Sequence, residues 1–121
     1  MNKVLIIDDD ILFCQLLEMV FSKRGWMTAS AQNTSQAWNL IKDFKPDLVV
    51  LDISLQKDKD GIELLKRISS ENTGKEIKVV MTTASDYNRW LNECLESGAQ
   101  MLVPKPFSPK AFVNQVERLF H

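Results

Sequence analysis

Apolar, strand-like runs alternate five times with amphipathic helical stretches along this chain. That alternation predicts an α/β protein, a parallel sheet with helices on both faces. Two runs, Val4-Leu5-Ile6-Ile7 and Leu48-Val49-Val50-Leu51, are apolar at every position, as strands buried on both sides require. Each is followed at once by acid, Asp8-Asp9-Asp10 in one case and Asp52 in the other. A carboxylate is too costly to bury unpaired in such a layer, so these acids must emerge where the strands end.

The elements follow in order. After the first strand, Phe13, Leu16, Leu17, Val20 and Phe21 recur at helical spacing, and Gly25 is the stop signal. Trp26 to Ala31 forms a short, rather polar second strand. Ala37, Leu40, Ile41 and Phe44 mark a second helix, which must end before Pro46. Leu48 to Leu51 is the third strand, and Gly61 opens a helix carrying Leu64, Leu65 and Ile68. Lys78 to Met81 is the fourth strand. Asp86 is placed to cap a helix with Tyr87, Leu91, Cys94 and Leu95 on its inner face. Gly98 ends that helix, Met101 to Val103 is the fifth strand, and the last helix starts near Ser108 with Phe112, Val116, Leu119 and Phe120 inward. Trp26 and Trp38 read as packing residues, while Trp90 stays open between burial and an exposed partner surface.

With 121 residues, 45% hydrophobic and 26% charged, the chain has the size and composition of a single globular domain. A formal net charge of -1 provides no basic face for nucleic acid. No apolar run is long enough for a bilayer, and no signal peptide precedes Val4. The expected location is cytoplasmic. Cys14 and Cys94 lie in amphipathic segments without C-x-x-C spacing, and read as core thiols rather than a disulfide or metal ligands.

Ligands of open α/β sheets collect beyond the carboxyl ends of the strands. At those ends stand Asp8-Asp9, Asp52, Thr82-Thr83 and Lys105. Adjacent strands lie roughly 5 Å apart, which lets two such carboxylates share a hard cation or face a phosphoryl group. Acids at strand ends also serve as solvated loop residues or helix caps, and Asp10 is assigned that plainer role. His121, the sole histidine, is the last residue and is expected to fray.

These residues closely resemble the receiver domain of two-component response regulators. The resemblance rests on Val4-Leu5-Ile6-Ile7-Asp8-Asp9-Asp10, Pro46-Asp47-Leu48-Val49-Val50-Leu51-Asp52, Asp60-Gly61, Thr83-Ala84, Gly98-Ala99 and Lys105-Pro106-Phe107, in family order and spanning nearly the whole chain, residues 1–121. It implies a flavodoxin-like (βα)5 fold with strand order 2-1-3-4-5. It further implies that Asp52 accepts a phosphoryl group from a sensor histidine kinase or a histidine phosphotransfer protein, forming an acyl phosphate. Asp8 and Asp9, with Asp52 and the Ser54 backbone carbonyl, would hold Mg²⁺. Thr83 would be the hydroxyl that senses the phosphoryl group, since Ala84 follows it directly, with Thr82 as the alternative, and Lys105 the lysine that pairs with it. The Lys105-Pro106 bond is expected to be cis. An output domain or target protein would meet the face formed by helix 4, strand 5 and helix 5. Such a domain catalyses only its own phosphorylation and dephosphorylation.

The chain departs from the family at several places. Gln56 stands where proline is usual, and Gly61 lies nine positions after Asp52, one more than the family spacing. Residues 56–60 therefore form a longer, charged rim. Leu102 replaces the aromatic that normally precedes the lysine by three, so the usual rotating reporter of phosphorylation is missing. A weaker or different shift of the helix 4–strand 5–helix 5 face is predicted. Two other functions compete: a receiver-like interaction module indifferent to phosphate, and a haloacid-dehalogenase-like phosphatase with Asp8 as nucleophile. The phosphatase needs a late acidic motif, whereas the late strand here runs Met101-Leu102-Val103-Pro104-Lys105. Met1 leads straight into strand 1, so any further domain is expected beyond His121.

Overall fold

The computed structural model describes residues 2–56, 60–71 and 74–120. Its five strands are β1 (Lys3–Ile7), β2 (Met27–Ala31), β3 (Leu48–Asp52), β4 (Lys78–Thr83) and β5 (Met101–Pro104). All pair in parallel, in the order β2-β1-β3-β4-β5. The helices are α1 (Ile11–Lys23), α2 (Thr34–Asp43), α3 (Asp60–Ser70), α4 (Tyr87–Glu96) and α5 (Pro109–Glu117), and a short 3₁₀ turn follows at Arg118–Phe120.

Side-chain alternation in the strands divides the core in two. Leu5, Ile7, Val49, Leu51, Val79 and Met81 pack against α2, α3 and α4. Val4, Ile6, Leu48, Val50 and Val80 pack on the other face against α1 and α5, where Phe21 and Phe112 are the largest fully buried side chains. The strands at the two edges are the more exposed ones, as a free flank demands.

Local signals account for the helix starts. Asp10 accepts from the Phe13 amide at 3.1 Å, Asn33 from Gln36 at 2.8 Å and Ser108 from Ala111 at 3.3 Å, with Pro109 at the first helical position. Asp86 occupies the corresponding position of α4 but makes no capping bond, because its backbone is left-handed (φ 58°) and turns the side chain aside. Two residues assigned inward, Leu16 and Leu95, are exposed: each lies at the margin of its helix's apolar stripe, and the period alone does not set the stripe's width. Trp90 is buried, against Arg89 and the β5 side of the sheet. Cys14 and Cys94 are both free and buried, and burial pushes each thiol up to about 11. The Lys105-Pro106 bond is cis. The rim at 57–59 and His121 lie outside the described residues.

Candidate functional site

The same alternation that divides the core builds the site. Asp8 continues the row of Val4 and Ile6, Asp52 the row of Leu48 and Val50, and Thr82 that of Val80, so all three face the α1/α5 side at the carboxyl end of the sheet. Asp52 and Thr82 are the last or next-to-last residues of their strands rather than loop residues beyond them. Asp8 is 1% exposed and Asp52 8%. Asp9 is exposed at the mouth, and the three carboxylates can each bring an oxygen within 4.8 Å of the others.

Lys105 closes the site from β5. Its Nζ donates to Asp8 Oδ2 at 2.6 Å and stands 3.6 Å from Asp52 Oδ1. The Lys105 amide donates to the Thr83 carbonyl at 2.7 Å, which ties the lysine's backbone to the end of β4. The other Asp8 oxygen accepts from the Asp10 amide at 2.9 Å. Beneath the ammonium lies the ring of Phe13, 4.3 Å from Nζ to centroid, in edge contact with Phe107.

Burial pushes Asp52 up to about 6, and the neighbouring Asp8 and Asp9 charges add to that rise while Lys105 opposes it. Asp9 is raised for the same reasons, burial first and Asp8 next. For Lys105, burial alone would lower the pKa, but the Asp8 hydrogen bond and the charges of Asp52 and Asp8 prevail and raise it. The pocket thus holds more negative charge than its one lysine neutralises. Carboxylate oxygens clustered in this way, with unrelieved repulsion, are the donor set that a hard divalent cation takes.

Thr83 lies at the adjacent strand end, with its hydroxyl donating to the Ser85 carbonyl and accepting from the Ser85 amide at 3.2 Å. It is held by its own loop, not by an acid. Ser54 follows in the turn beyond β3, with its side chain exposed. Sequence reasoning brought Asp8, Asp9, Asp52 and Lys105 together correctly and missed two contributors. One is Phe13, whose helical spacing marked it only as core. The other is Gly61: a Cβ there would sit 2.0 Å from the Asp52 carbonyl oxygen, so the start of α3 packs directly on the Asp52 backbone. Its amide also donates to the Ile53 carbonyl at 2.8 Å. A glycine closely following a strand-end acid is the signal that could have found it.

Comparison with known proteins agrees with this geometry. The family model described as "Response regulator receiver domain" matches residues 4–117. The chain is 39% identical over 108 residues to sporulation initiation phosphotransferase F of Bacillus subtilis, covering 88% of this chain and 83% of that protein. It is 33% identical over 114 residues to the phosphate regulon transcriptional regulatory protein PhoB of Pseudomonas aeruginosa, covering 94% of this chain but 49% of that protein. It therefore spans about half the length of that relative. Among solved structures, the receiver domain of NtrX from Brucella abortus superposes with a TM-score of 0.84 at 30% identity, covering 95% of each chain. A two-component response regulator from Clostridium difficile superposes at 0.88 and 27% identity, covering 99% of this chain and 96% of that one.

Proposed function

Because this chain belongs to the response regulator receiver domain family, we propose that Asp52 is its phosphoacceptor, loaded by a sensor histidine kinase or a histidine phosphotransfer protein in a Mg²⁺-dependent reaction. The observation that carries this reading is the position of Asp52 between the acidic pair and Lys105, whose ammonium spans Asp8 and Asp52. The ionised carboxylate is the nucleophile. One Asp52 oxygen bonds to phosphorus as the bond to the donor's imidazole nitrogen breaks, and the imidazole then takes up a proton. Lys105 is placed to leave Asp8 for a phosphoryl oxygen, where it offsets the charge that develops in the transition state. Asp8, Asp9, Asp52 and the Ser54 carbonyl would hold Mg²⁺, which when bound supplies positive charge to the equatorial phosphoryl oxygens. The Thr83 hydroxyl would then exchange Ser85 for the phosphoryl group and remodel the loop after β4.

The phosphatase reading is less well supported: Asp8 is 1% exposed and hydrogen-bonded to Lys105 and the Asp10 amide, and the late strand end brings a lysine, not an acid, to the site. An inert interaction module would have no use for a buried acidic cluster with its own lysine.

Residues 1–121 are read as one receiver domain that catalyses only its own phosphorylation and dephosphorylation. No helix among the described residues is long and apolar enough to cross a membrane, and the two buried free thiols suit the cytoplasm. Ile11, Leu12, Leu16 and Met19 leave an apolar strip of α1 exposed beside the site, a surface for the phosphodonor protein. The output domain or target is assigned to the α4–β5–α5 face, and the domain itself to no nucleic acid.

Incubation with acetyl phosphate and Mg²⁺ should add one phosphate to the wild type by intact mass and none to Asp52→Asn; an equal adduct on the variant would refute the assignment. Asp52→Asn should also melt higher without metal. The gap between about 6 and the ordinary 3.8 corresponds to about 3 kcal/mol at most. Loss of the Lys105 partner offsets part of it, leaving about 1–2 kcal/mol. The sign is fixed by linkage: a raised carboxyl pKa favours the fold below the ordinary value, and that benefit is lost as pH rises through about 6. The variant's advantage should therefore appear above pH 6 and vanish near pH 4, as urea melts at the two values will show.

Leu102 is 5% exposed and packs in the same cluster as Trp90, Cys94 and Ala99. A buried aliphatic side chain has no ring to swing between a solvent-facing and a core-facing position. Beryllofluoride with Mg²⁺ should shift NMR signals strongly around Asp8, Asp52 and Thr83 and weakly across α4, β5 and α5; equal shifts in both regions would contradict this.

A further inference from the structure

Thr82 is the residue of this region that the reaction above does not employ. It is fully buried, and its Oγ1 is the one buried side-chain polar atom among the described residues without a hydrogen-bond partner. Leaving such a hydroxyl unpaired is costly, and valine, of the same shape, would avoid the cost. Its position is informative. Asp52 and Thr82 are direct partners in the β3–β4 ladder, and Thr82 and Val103 are partners in the β4–β5 ladder. Lys105, two residues past Val103, reaches across to Asp52 Oδ1 at 3.6 Å. Thr82 therefore lies on the strand between the two partners of that ion pair, with its side chain on the Asp52 face of the sheet.

Resting on the assignment of Asp52 as acceptor, we propose that Thr82 is a positioning residue for the aspartyl phosphate. While Lys105 holds Asp52, the hydroxyl has no partner. Once Lys105 turns to the phosphoryl group, the Asp52 oxygen that remains a carbonyl loses its lysine partner, and the lone pair that Mg²⁺ would not take stands open. Thr82, the direct β4 partner of Asp52, is placed to fill it by a χ1 rotation from a strand roughly 5 Å distant. During hydrolysis a water oxygen bonds to phosphorus while the P–Oδ bond breaks. The bonding pair returns to Asp52 as carboxylate, and inorganic phosphate leaves with the water's oxygen and releases the surplus proton to solvent. Negative charge grows on the aspartyl oxygens in that step, so a donor there stabilises the transition state more than the acyl phosphate. Thr82 shortens the lifetime of the phosphorylated state.

The test compares wild type, Thr82→Val and Thr82→Ser. Each is phosphorylated with acetyl phosphate and Mg²⁺, desalted into Mg²⁺ buffer, and followed by intact mass as the adduct decays. Thr82→Val should hold its phosphate about three- to tenfold longer, the loss of one charge-assisted hydrogen bond. Thr82→Ser should decay within about twofold of wild type, since it restores the donor. Thr82→Val should also melt at the wild-type temperature or above, having lost an unpaired buried hydroxyl. Wild-type decay in Thr82→Val overturns the role of Thr82 alone, as does slow decay in Thr82→Ser. Absence of an adduct on the wild type overturns the Asp52 assignment with it.

Discussion

Gly61→Ala should both destabilise the fold and slow phosphorylation of Asp52. The position has no unusual backbone angle; what it lacks is room. A Cβ would meet the Asp52 carbonyl oxygen at 2.0 Å, and the Asp52 carbonyl carbon and Ile53 Cα at 2.8 Å each. These are backbone atoms, which cannot rotate out of the way, so either α3 or the end of β3 must shift. Forcing an extra methyl into a packed site costs typically about 1–3 kcal/mol. Alanine's better helix propensity recovers about 0.5–1 kcal/mol, which the clash outweighs. A net loss of about 1–2 kcal/mol lowers the melting temperature of a domain this size by roughly 4–8 °C. The functional effect is larger, since a displacement of about 1 Å at a reacting group can cost on the order of 100-fold in rate. Circular dichroism melts and the initial rate of adduct formation from acetyl phosphate read the two effects. An unchanged melting temperature and rate would mean that α3 does not set the place of Asp52.

Lys105→Met should make the fold strongly pH-dependent. The lysine is the partner of two buried carboxylates, at 2.6 Å from Asp8 and 3.6 Å from Asp52. Removing one member of a buried ion pair typically costs about 3–5 kcal/mol. Here the loss is capped, because a proton can take the lysine's place. Asp52 already stands near 6, and without the lowering influence of Lys105 it rises further. A carboxyl raised in the folded state supports the fold at low pH and ceases to do so as pH rises through its folded value. The lysine's own raised pKa contributes stability below the ordinary 10.5, which is fully present at pH 8. Lys105→Met should therefore fall about 2 kcal/mol below wild type at pH 8 and approach it near pH 5. Millimolar Mg²⁺ should recover part of the difference by relieving the same repulsion. Urea melts at both pH values would read this, and equal stability at pH 8 would rule out the coupling of Lys105 to the acids.

The acidic cluster was legible in the sequence for a physical reason. Charged residues directly behind apolar strands have one place to go, and a parallel sheet brings those places to a single edge. Lys105 was legible because a lysine between two prolines at the end of the last strand has a restricted direction in which to point. What escaped depends on approach distances and stripe widths. Gly61 reads as a helix opener until the Asp52 carbonyl is seen against it. Phe13 shares the spacing of the core residues Leu17 and Phe21 yet supports the Lys105 ammonium, because α1 begins three residues after the acid and its first turn overhangs the site. Leu16 and Leu95 fit the helical period and face solvent all the same. Asp86 has the residue type of a cap but a backbone conformation that forbids the capping bond.

The identity of the phosphorylated atom is open to direct chemical reading. Borohydride reduces an aspartyl phosphate to homoserine, so brief phosphorylation with acetyl phosphate and Mg²⁺, reduction, digestion and peptide mass spectrometry locate the acceptor. Homoserine at residue 52 alone is the predicted outcome. Homoserine at residue 8 or 9, or a phosphate adduct that yields none at 52, would contradict it.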